Sequence, residues 1–358
     1  MSAEQTDVRA DYTMQSVITT LHSYDTEYSA DSVEWCPHRP HRNLFACGTY
    51  QLDENETNNC GSSHAVRKGR LLLFSYNIEN NSLTLKQTIE TSAILDQKWH
   101  QQIPSVAVVN ASGEVVMFNL SLEEQLTKID ILSIPITDGG SDQLALSIDW
   151  TKQGDRALVS DSNGGISIIR TDKCGMRIQN RWTAHAFEAW TCAFDKANDN
   201  VVYTGGDDAV LCVYDIRCLN VTVAKNKSHS AGITSLLAFH HVEHLLATGS
   251  YDDNLRIFDT RYMKSPANQI NLGGGVWRIK SNHHQPDQIL CACMYHNFSI
   301  INLHSDRSIV LDTEYNEHNS ICYGCDWSYN SNESESKYFA TCSFYDHKLC
   351  LAVLKAQK

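Results

Sequence analysis

Three stretches of the chain combine aromatic, charged and glycine residues in a way that could bind a ligand. They are residues 185–190 (His-Ala-Phe-Glu-Ala-Trp), 273–278 (Gly-Gly-Gly-Val-Trp-Arg) and 318–327 (His-Asn-Ser-Ile-Cys-Tyr-Gly-Cys-Asp-Trp). The faces of aromatic rings attract cations, and consecutive glycines leave room for the close approach of a ligand or partner. We therefore expect ligand contacts from Trp190, Gly274, Gly275, Trp277 and Tyr323.

Familiar catalytic signatures are absent from the sequence. There is no Gly-x-Ser-x-Gly, no His-Glu-x-x-His, no phosphate-binding Gly-x-x-x-x-Gly-Lys and no Gly-x-Gly-x-x-Gly. Cys322 and Cys325 form a Cys-x-x-Cys pair, but on a strand this spacing directs the two thiols to opposite faces. We therefore expect neither a metal site nor a cofactor.

The elements that position these stretches can be read from residues 229–261. Three short apolar runs, separated by two polar bends, predict three antiparallel strands. Residues 185–217 repeat the pattern, and the separation from His185 to Asp208 and from His229 to Asp252 is 23 residues in both copies. One such sheet leaves both of its apolar faces uncovered, so the pattern predicts further copies.

Seven copies can be recognised by their third strand. These strands cover residues 70–76, 114–120, 165–170, 210–217, 255–261, 298–303 and 348–354. The steps between them, 43 to 52 residues, fit four-stranded blades, so we predict an all-β, seven-bladed β-propeller over residues 16–358 as one domain. The first strand of most units ends on an aromatic residue that we expect between adjacent blades: Trp35, Trp99, Trp150, Phe194, Phe239 and Trp327, with Trp277 slightly earlier in the sixth unit.

The ends of the chain predict how the ring closes. Residues 16–24 form a strand before the first unit, whereas the chain stops soon after the third strand of the last unit. We predict that the N-terminal strand completes the seventh blade and removes a free edge. Residues 1–15 are expected to be flexible, and the polar insertions at 53–68 and 330–337 to be mobile loops.

Bulk composition limits the partners. The 358 residues carry a formal net charge of −13, which argues against a nucleic-acid partner and favours cationic or mixed-charge protein surfaces. No apolar run approaches the length of a membrane span or a signal-peptide core, so we expect a cytoplasmic protein without a membrane partner.

The pattern of His, turn Asp and aromatic-Asp, with Gly-Ser or Gly-Gly before the turn, resembles the WD-repeat family. A histidine, a turn aspartate and a strand hydroxyl can hydrogen-bond where the inner loops of a blade bend. We therefore interpret one set of residues as structural: His185, Asp208, His229, Asp252 and, in the last unit, Asp346.

Within that family, the Gly-Gly-Gly-Val-Trp-Arg segment and residues 342–347 (Cys-Ser-Phe-Tyr-Asp-His) resemble the diphthine methyl ester hydrolase branch, also called the diphthine methyltransferase branch. The resemblance covers roughly residues 145–350. It implies removal of a methyl ester from methylated diphthine on translation elongation factor 2, late in diphthamide biosynthesis. The quaternary ammonium of that side chain is a ligand that aromatic faces bind.

Ester hydrolysis needs a group that activates water or a nucleophile, and a group that stabilises the oxyanion. Under the resemblance, Glu188 or a nearby histidine is the candidate base, and Arg278 with the glycine amides is the candidate anion stabiliser. Ser343 is a candidate nucleophile if Asp346 or His347 lies beside it. The residues alone do not assign a triad.

A second interpretation is a non-catalytic adaptor. Asp215 with Arg217, and Asp259 with Arg261, resemble the Asp-x-Arg boxes by which WD-repeat proteins dock to an adaptor of a cullin-type ubiquitin ligase. A simpler explanation is that each pair only closes a blade turn by a surface ion pair.

Overall fold

The computed structural model describes residues 16–53, 66–136, 143–219, 221–242, 244–330 and 336–356. Within these ranges the chain forms seven four-stranded antiparallel sheets and no helix. The predicted all-β, seven-bladed propeller is therefore confirmed. Correspondingly, the described ranges contain no helix that could cross a membrane.

The first four blades follow one another along the chain, and each is built from its innermost strand outwards. Blade one contains β2 (Ser29–Trp35), β3 (Leu44–Asp53), β4 (Val66–Asn77) and β5 (Ser82–Ser92). Blade two contains β6 (Ile94–Trp99), β7 (Ser105–Asn110), β8 (Glu114–Leu120) and β9 (Leu126–Ser133). Blade three contains β10 (Ala145–Trp150), β11 (Arg156–Asp161), β12 (Gly165–Asp172) and β13 (Gly175–Thr183). Blade four contains β14 (Thr191–Phe194), β15 (Val201–Gly205), β16 (Leu211–Asp215) and β17 (Thr222–Asn226).

The last three blades continue the pattern, and the first strand of the chain completes the ring. Blade five contains β18 (Ile233–Ala238), β19 (Leu245–Ser250), β20 (Asn254–Asp259) and β21 (Asn268–Asn271). Blade six contains β22 (Val276–Ser281), β23 (Gln288–Cys293), β24 (Phe298–Leu303) and β25 (Ile309–Tyr315). Blade seven contains β26 (Cys322–Trp327), β27 (Ser336–Ser343), β28 (Lys348–Lys355) and, on its outer edge, β1 (Val17–Asp25). The antiparallel pairing of β1 with β28 confirms the predicted closure.

Burial follows the position of a strand within its blade. The inner strands β2, β7, β19 and β23 are buried along their whole length, since neighbouring blades cover both of their faces. The outermost strand β21 instead alternates between half-buried and exposed residues, as expected where one face meets water.

The aromatic residues predicted between blades are buried there. Trp99, Trp150 and Trp327 each donate an indole N–H to a backbone carbonyl of the preceding blade's innermost strand, at 3.0, 3.4 and 3.1 Å. These bonds join adjacent blades. Trp277 is the exception, because it lies near the start of β22 and faces the central channel rather than a neighbouring sheet.

The predicted flexible and mobile segments fall largely outside the described residues. These are residues 1–15 and the centres of the insertions, 54–65 and 331–335. The flanks of both insertions are ordered strand, because β3 extends to Asp53, β4 starts at Val66 and β27 starts at Ser336.

Candidate functional site

A register shift interrupts the innermost strand of six blades at the same place. In each of these blades the innermost strand has one extra residue that has no partner in the second strand. These added residues are Asp31, Leu95, Leu146, Thr234, Trp277 and Tyr323. In blade four the corresponding residue is Trp190, directly before β14. A β-bulge re-aims the extra side chain. We call these seven positions the bulge ring, and they surround one mouth of the central channel.

Five aromatic rings from four neighbouring blades meet across this mouth. The ring centroid of Trp277 lies 5.7 Å from that of Trp190, 5.8 Å from that of Tyr251 and 4.7 Å from that of Tyr323. The ring of Tyr323 in turn lies 5.0 Å from that of Phe344. All five rings are half-buried, so part of each remains accessible. This aromatic arc provides the ring faces that an organic cation needs.

The structure adds residues to the arc that sequence reasoning missed. Tyr251 and Phe344 directly follow the second strands of their blades, β19 and β27. Asp207 occupies the corresponding turn of blade four and accepts a hydrogen bond from Trp190 Nε1 at 3.0 Å. A signal was present, because Asp207 and Tyr251 each immediately precede the turn aspartates Asp208 and Asp252.

The guanidinium of Arg278 crosses the channel beneath the aromatic arc. From blade six it reaches blade two, where Nη1 lies 3.2 Å from Oδ1 of Asp96 and Nη2 donates to the carbonyl oxygen of Leu95 at 3.4 Å. Burial alone would lower the pKa of Arg278, but Asp96, Asp31 and Glu34 raise it above its usual value. A permanent positive charge therefore lies in the channel, on the residue that follows Trp277 in β22, where it would stabilise a developing anion.

A second charged layer follows deeper in the channel. Glu34 is paired with Lys98 at 2.6 Å and also with Lys280, which lies 3.8 Å from Asp326. Burial would raise the pKa of Glu34, yet the two lysines lower it to about 2. For Asp326, burial raises the pKa to about 7 although Lys280 opposes this. These side chains border a cavity of about 200 Å³ in the channel.

Glu188, the predicted base, lies at the rim rather than beside Arg278. It is half-buried next to Asp207, whose backbone N–H donates to the carbonyl oxygen of Glu188 at 2.9 Å. Burial raises the pKa of Tyr251, and the charges of Asp207 and Glu188 raise it further. The structure thus places Glu188 with Asp207 at the Trp190 end of the arc, as part of a negatively charged edge.

Gly274 and Gly275 pack closely against neighbouring turns. Both are buried, and a Cβ on Gly274 would lie 2.2 Å from the carbonyl oxygen of Met294. A Cβ on Gly275 would lie 3.3 Å from Cα of Tyr251. The neighbouring turns thus fill the space beside both glycines, and the expected ligand contact of Gly274 and Gly275 stays a prediction.

The candidate nucleophile Ser343 is part of a structural network. Its side chain is fully buried, its hydroxyl donates to Asp346, and it lies 2.5 Å from Nδ1 of His318. Since its only proton goes to Asp346, Nδ1 of His318 must donate to Ser343, and Nε2 accepts from Thr341 at 2.8 Å. Asp346 therefore lies beside Ser343, as the catalytic assignment requires, but full burial and donation from His318 favour a structural role, and the assignment of Ser343 as nucleophile stays a prediction.

The residues expected to be structural form similar networks in blades four and five. His185 contacts Asp208 through Nδ1 and Thr204 through Nε2, both at 2.9 Å. His229 contacts Thr248 at 2.8 Å, but Asp252 pairs instead with Arg256, also at 2.8 Å. The expected bond between His229 and Asp252 is therefore replaced by a buried ion pair.

The two Asp-x-Arg pairs close turns after β16 and β20. Arg217 lies 2.6 Å from Asp215, and Arg261 lies 2.7 Å from Asp259, with both guanidinium groups largely exposed. Asp259 is also 2.8 Å from Arg307 of blade six. These contacts fit the simpler explanation, in which the pairs stabilise local turns.

Comparison with known proteins first defines the class. Residues 220–259 match the WD40 family (WD domain, G-beta repeat). A chain of the crystal structure of the Mitotic Checkpoint Complex superposes with a TM-score of 0.72 at 15% identity, covering 100% of this chain and 97% of that chain. This likeness concerns the fold alone. The protein is a WD-repeat β-propeller.

Relatives then define the family. The diphthine methyltransferase of Homo sapiens is 38% identical over 86% of this chain and 74% of its own length. The diphthine methyltransferase homolog of Dictyostelium discoideum is 33% identical over 91% of this chain and 96% of its own, and the enzyme of Schizosaccharomyces pombe is 33% identical over 91% and 95%. The chain belongs to the diphthine methyltransferase family, a WD-repeat family of diphthamide biosynthesis, and the adaptor interpretation is not favoured.

Proposed function

We propose that this protein hydrolyses the methyl ester of methylated diphthine on translation elongation factor 2. The observation that carries the proposal is that Arg278, the residue after Trp277 of the aromatic arc in β22, extends its side chain across the channel to Asp96. A methylated diphthine side chain has a quaternary ammonium and a methyl ester. One channel thus offers ring faces for the first group and a fixed positive charge for the second.

In the proposed reaction, water attacks the ester carbonyl carbon and forms a tetrahedral oxyanion. Arg278 stabilises that oxyanion by charge and hydrogen bonding, and collapse of the intermediate releases methanol and leaves a carboxylate. The partly buried rings exclude water from the ammonium and strengthen its electrostatic attraction to the arc. The acidic rim formed by Glu188 and Asp207 adds to the attraction of a cation.

The surface around the mouth supports a protein substrate. Phe187, Tyr295 and Tyr345 are 60%, 81% and 70% exposed. Tyr345 adjoins the arc through Phe344, with 5.0 Å between ring centroids. Aromatic residues are enriched at protein interfaces. We expect these three residues to contact the elongation factor around its modified histidine, and we propose that the reaction takes place in the cytoplasm.

The experiment is a turnover assay in heavy-oxygen water. Purified protein is incubated with elongation factor 2 bearing methylated diphthine, and the factor and methanol are analysed by mass spectrometry. Hydrolysis predicts loss of one methyl group and one heavy oxygen in the new carboxylate. Heavy oxygen in methanol, or no loss of methyl, would contradict ester hydrolysis at the carbonyl carbon.

Arg278→Lys tests the site within the same assay. Lysine keeps the charge but lacks the planar fork that can hold Asp96 and an oxyanion together, so methyl release should fall by about a hundredfold. Arg261→Lys, in an exposed ion pair on the outer part of blade five, is the matched control and should retain full turnover. Equal rates in both variants would remove Arg278 from the reaction.

A further inference from the structure

One carboxyl group of the bulge ring has no role in the pairs described above. Asp31 is the added residue of β2, and its side chain is buried with the residue only 2% exposed. Its Oδ1 has no hydrogen-bond partner among the described residues. An unsatisfied buried carboxyl group destabilises a folded protein, and such groups are typical of functional sites.

The surroundings of Asp31 differ from those of Asp96 at the same end of the channel. Asp96 is fully engaged, because Oδ1 pairs with Arg278 at 3.2 Å and Oδ2 accepts the backbone N–H of Ile148 at 3.1 Å. The titratable groups that face Asp31 are Arg278 from β22, Asp96 from β6, Tyr323 from β26 and Cys342 from β27. Asp31 and Asp96, two carboxyl groups near one guanidinium, thus have different environments. Such a difference can give two neighbouring carboxyl groups different acid–base roles.

The pKa of Asp31 also supports a role in acid–base chemistry. Burial raises the pKa of Asp31 well above its usual value, Arg278 lowers it and Asp96 raises it. Burial also raises the pKa of Tyr323 and of Cys342, so these neighbours stay neutral at neutral pH. A base works best when its pKa is near the working pH.

We propose that Asp31 is the general base of the hydrolysis, acting on the water that attacks the ester held above Arg278. This inference rests on the function proposed above. The Asp31 carboxylate takes one proton from water as the water oxygen bonds to the carbonyl carbon. When the intermediate collapses, the carbon–methoxy bond breaks and Asp31 returns that proton to the departing methoxide, which leaves as methanol.

The substrate itself would prepare the base. A quaternary ammonium in the aromatic arc would lie beside Tyr323, the neighbour of Asp31, and a nearby positive charge favours the ionised carboxylate. The apparent pKa of the acidic limb, where activity rises as the base loses its proton, should therefore be lower in the pH profile of kcat than in that of kcat/KM.

The test is Asp31→Asn in single-turnover methyl release. We expect a decrease of at least about a hundredfold with retained binding of the methylated factor, and no loss of thermal stability, since a buried charge is removed. Glu79→Gln, an equivalent loss of charge in an exposed turn of blade one, is the control and should retain the wild-type rate. In Asp31→Glu, partial activity with a shifted acidic limb of the pH profile would support the role directly.

Three results would overturn the proposal, and they distinguish failure of the role of Asp31 from failure of the proposed function. If the wild-type protein releases methyl and Asp31→Asn does so equally fast, the role of Asp31 fails while the proposed function stands. The same holds if Asp31→Asn is slow only because it is unfolded and Asp31→Glu leaves the acidic limb of the pH profile unchanged. If the wild-type protein releases no methyl, the function and the role of Asp31 fail together.

Discussion

The rings of Trp277 and Tyr323 lie 4.7 Å apart although the two residues belong to different blades. They meet because each is the added residue of a bulge in an innermost strand, and the bulges of adjacent blades face the same mouth. The contact therefore depends on the curvature of the ring and not on proximity in sequence. Several measurable consequences depend on this arrangement.

Trp277→Leu should weaken binding of the methylated substrate by removing the central ring of the arc. A cation–π contact contributes about 0.5–2 kcal/mol, so KM should rise by roughly twofold to thirtyfold. Steady-state methyl release measures this. Trp182→Leu, which removes a ring in edge-to-face contact with that of Tyr214 in an outer strand, at 5.4 Å between centroids, is the control. For a substrate analogue without the quaternary ammonium, wild type and Trp277→Leu should have the same KM. If the substitution raised KM for that analogue as much as for the methylated substrate, a cation contact would be contradicted.

Arg278→Ala should lower the free energy of unfolding, because it leaves Asp96 buried without its ion-pair partner. Breaking such a pair typically costs about 3–5 kcal/mol. Urea denaturation measures the loss, and adding Asp96→Asn should recover part of it. Arg261→Ala, which breaks an exposed pair, should change stability much less. Additive effects of the two channel substitutions would mean that Arg278 and Asp96 do not interact.

Ser343→Ala should reduce stability without reducing methyl release per folded molecule. The change removes the hydroxyl between His318 and Asp346, and an unsatisfied buried partner costs about 1–3 kcal/mol. Ser230→Ala, whose exposed hydroxyl donates to Asp252 at the corresponding turn of blade five, should have a smaller effect. Complete loss of turnover in folded Ser343→Ala would show that the serine takes part in the reaction. So would covalent labelling of Ser343 by a fluorophosphonate.

Acidification should destabilise the propeller through its buried histidines. Burial lowers the pKa of His229 and of His318 to about 4, from a usual value of 6.5. The unfolded chain therefore binds more protons between these values, so stability is fully present above the higher value and is lost as pH falls towards the lower one. Each histidine should contribute a loss of about 2 kcal/mol near pH 5.

Urea denaturation at about pH 7 and about pH 5 tests this linkage. His229→Gln should be less stable than wild type near neutrality, because its bond to Thr248 is altered, but its stability should depend less on pH. His304→Gln, at an exposed turn of blade six, should keep the wild-type pH dependence. An unchanged pH dependence in His229→Gln would show that other groups cause the effect.

Much of the propeller could be predicted because the same pattern of apolar strands, turns and aromatic residues repeats along the sequence. An isolated blade cannot cover its apolar faces, so the spacing of the third strands and of the buried aromatics such as Trp150 and Trp327 indicated both the number of blades and the contacts between them. The closing strand followed from the surplus strand at one end of the chain. The convergence of Trp190, Trp277 and Tyr323 could also be predicted, because all three precede or begin innermost strands.

The rest of the site depends on contacts that local sequence does not encode. Arg278 and Leu95 are 183 residues apart, and only ring closure brings their blades to opposite sides of one channel. Asp252 pairs with Arg256, a charged residue four positions away, and not with the neutral His229. Asp31 was missed although it precedes Trp35 by four residues, the same offset as Trp190 before Phe194 and Tyr323 before Trp327.

The pairing of β1 with β28 also has a consequence for biosynthesis. On the ribosome, β1 leaves the exit tunnel before the other strands of the ring, and its partner β28 is the last strand to emerge. Until β28 has emerged, β1 therefore lacks the strand with which it pairs in blade seven, and that blade can form only after the other six have been synthesised. A premature stop codon before β28 would leave β1 without its partner, so the loss of the last strand of the ring would also destabilise the first.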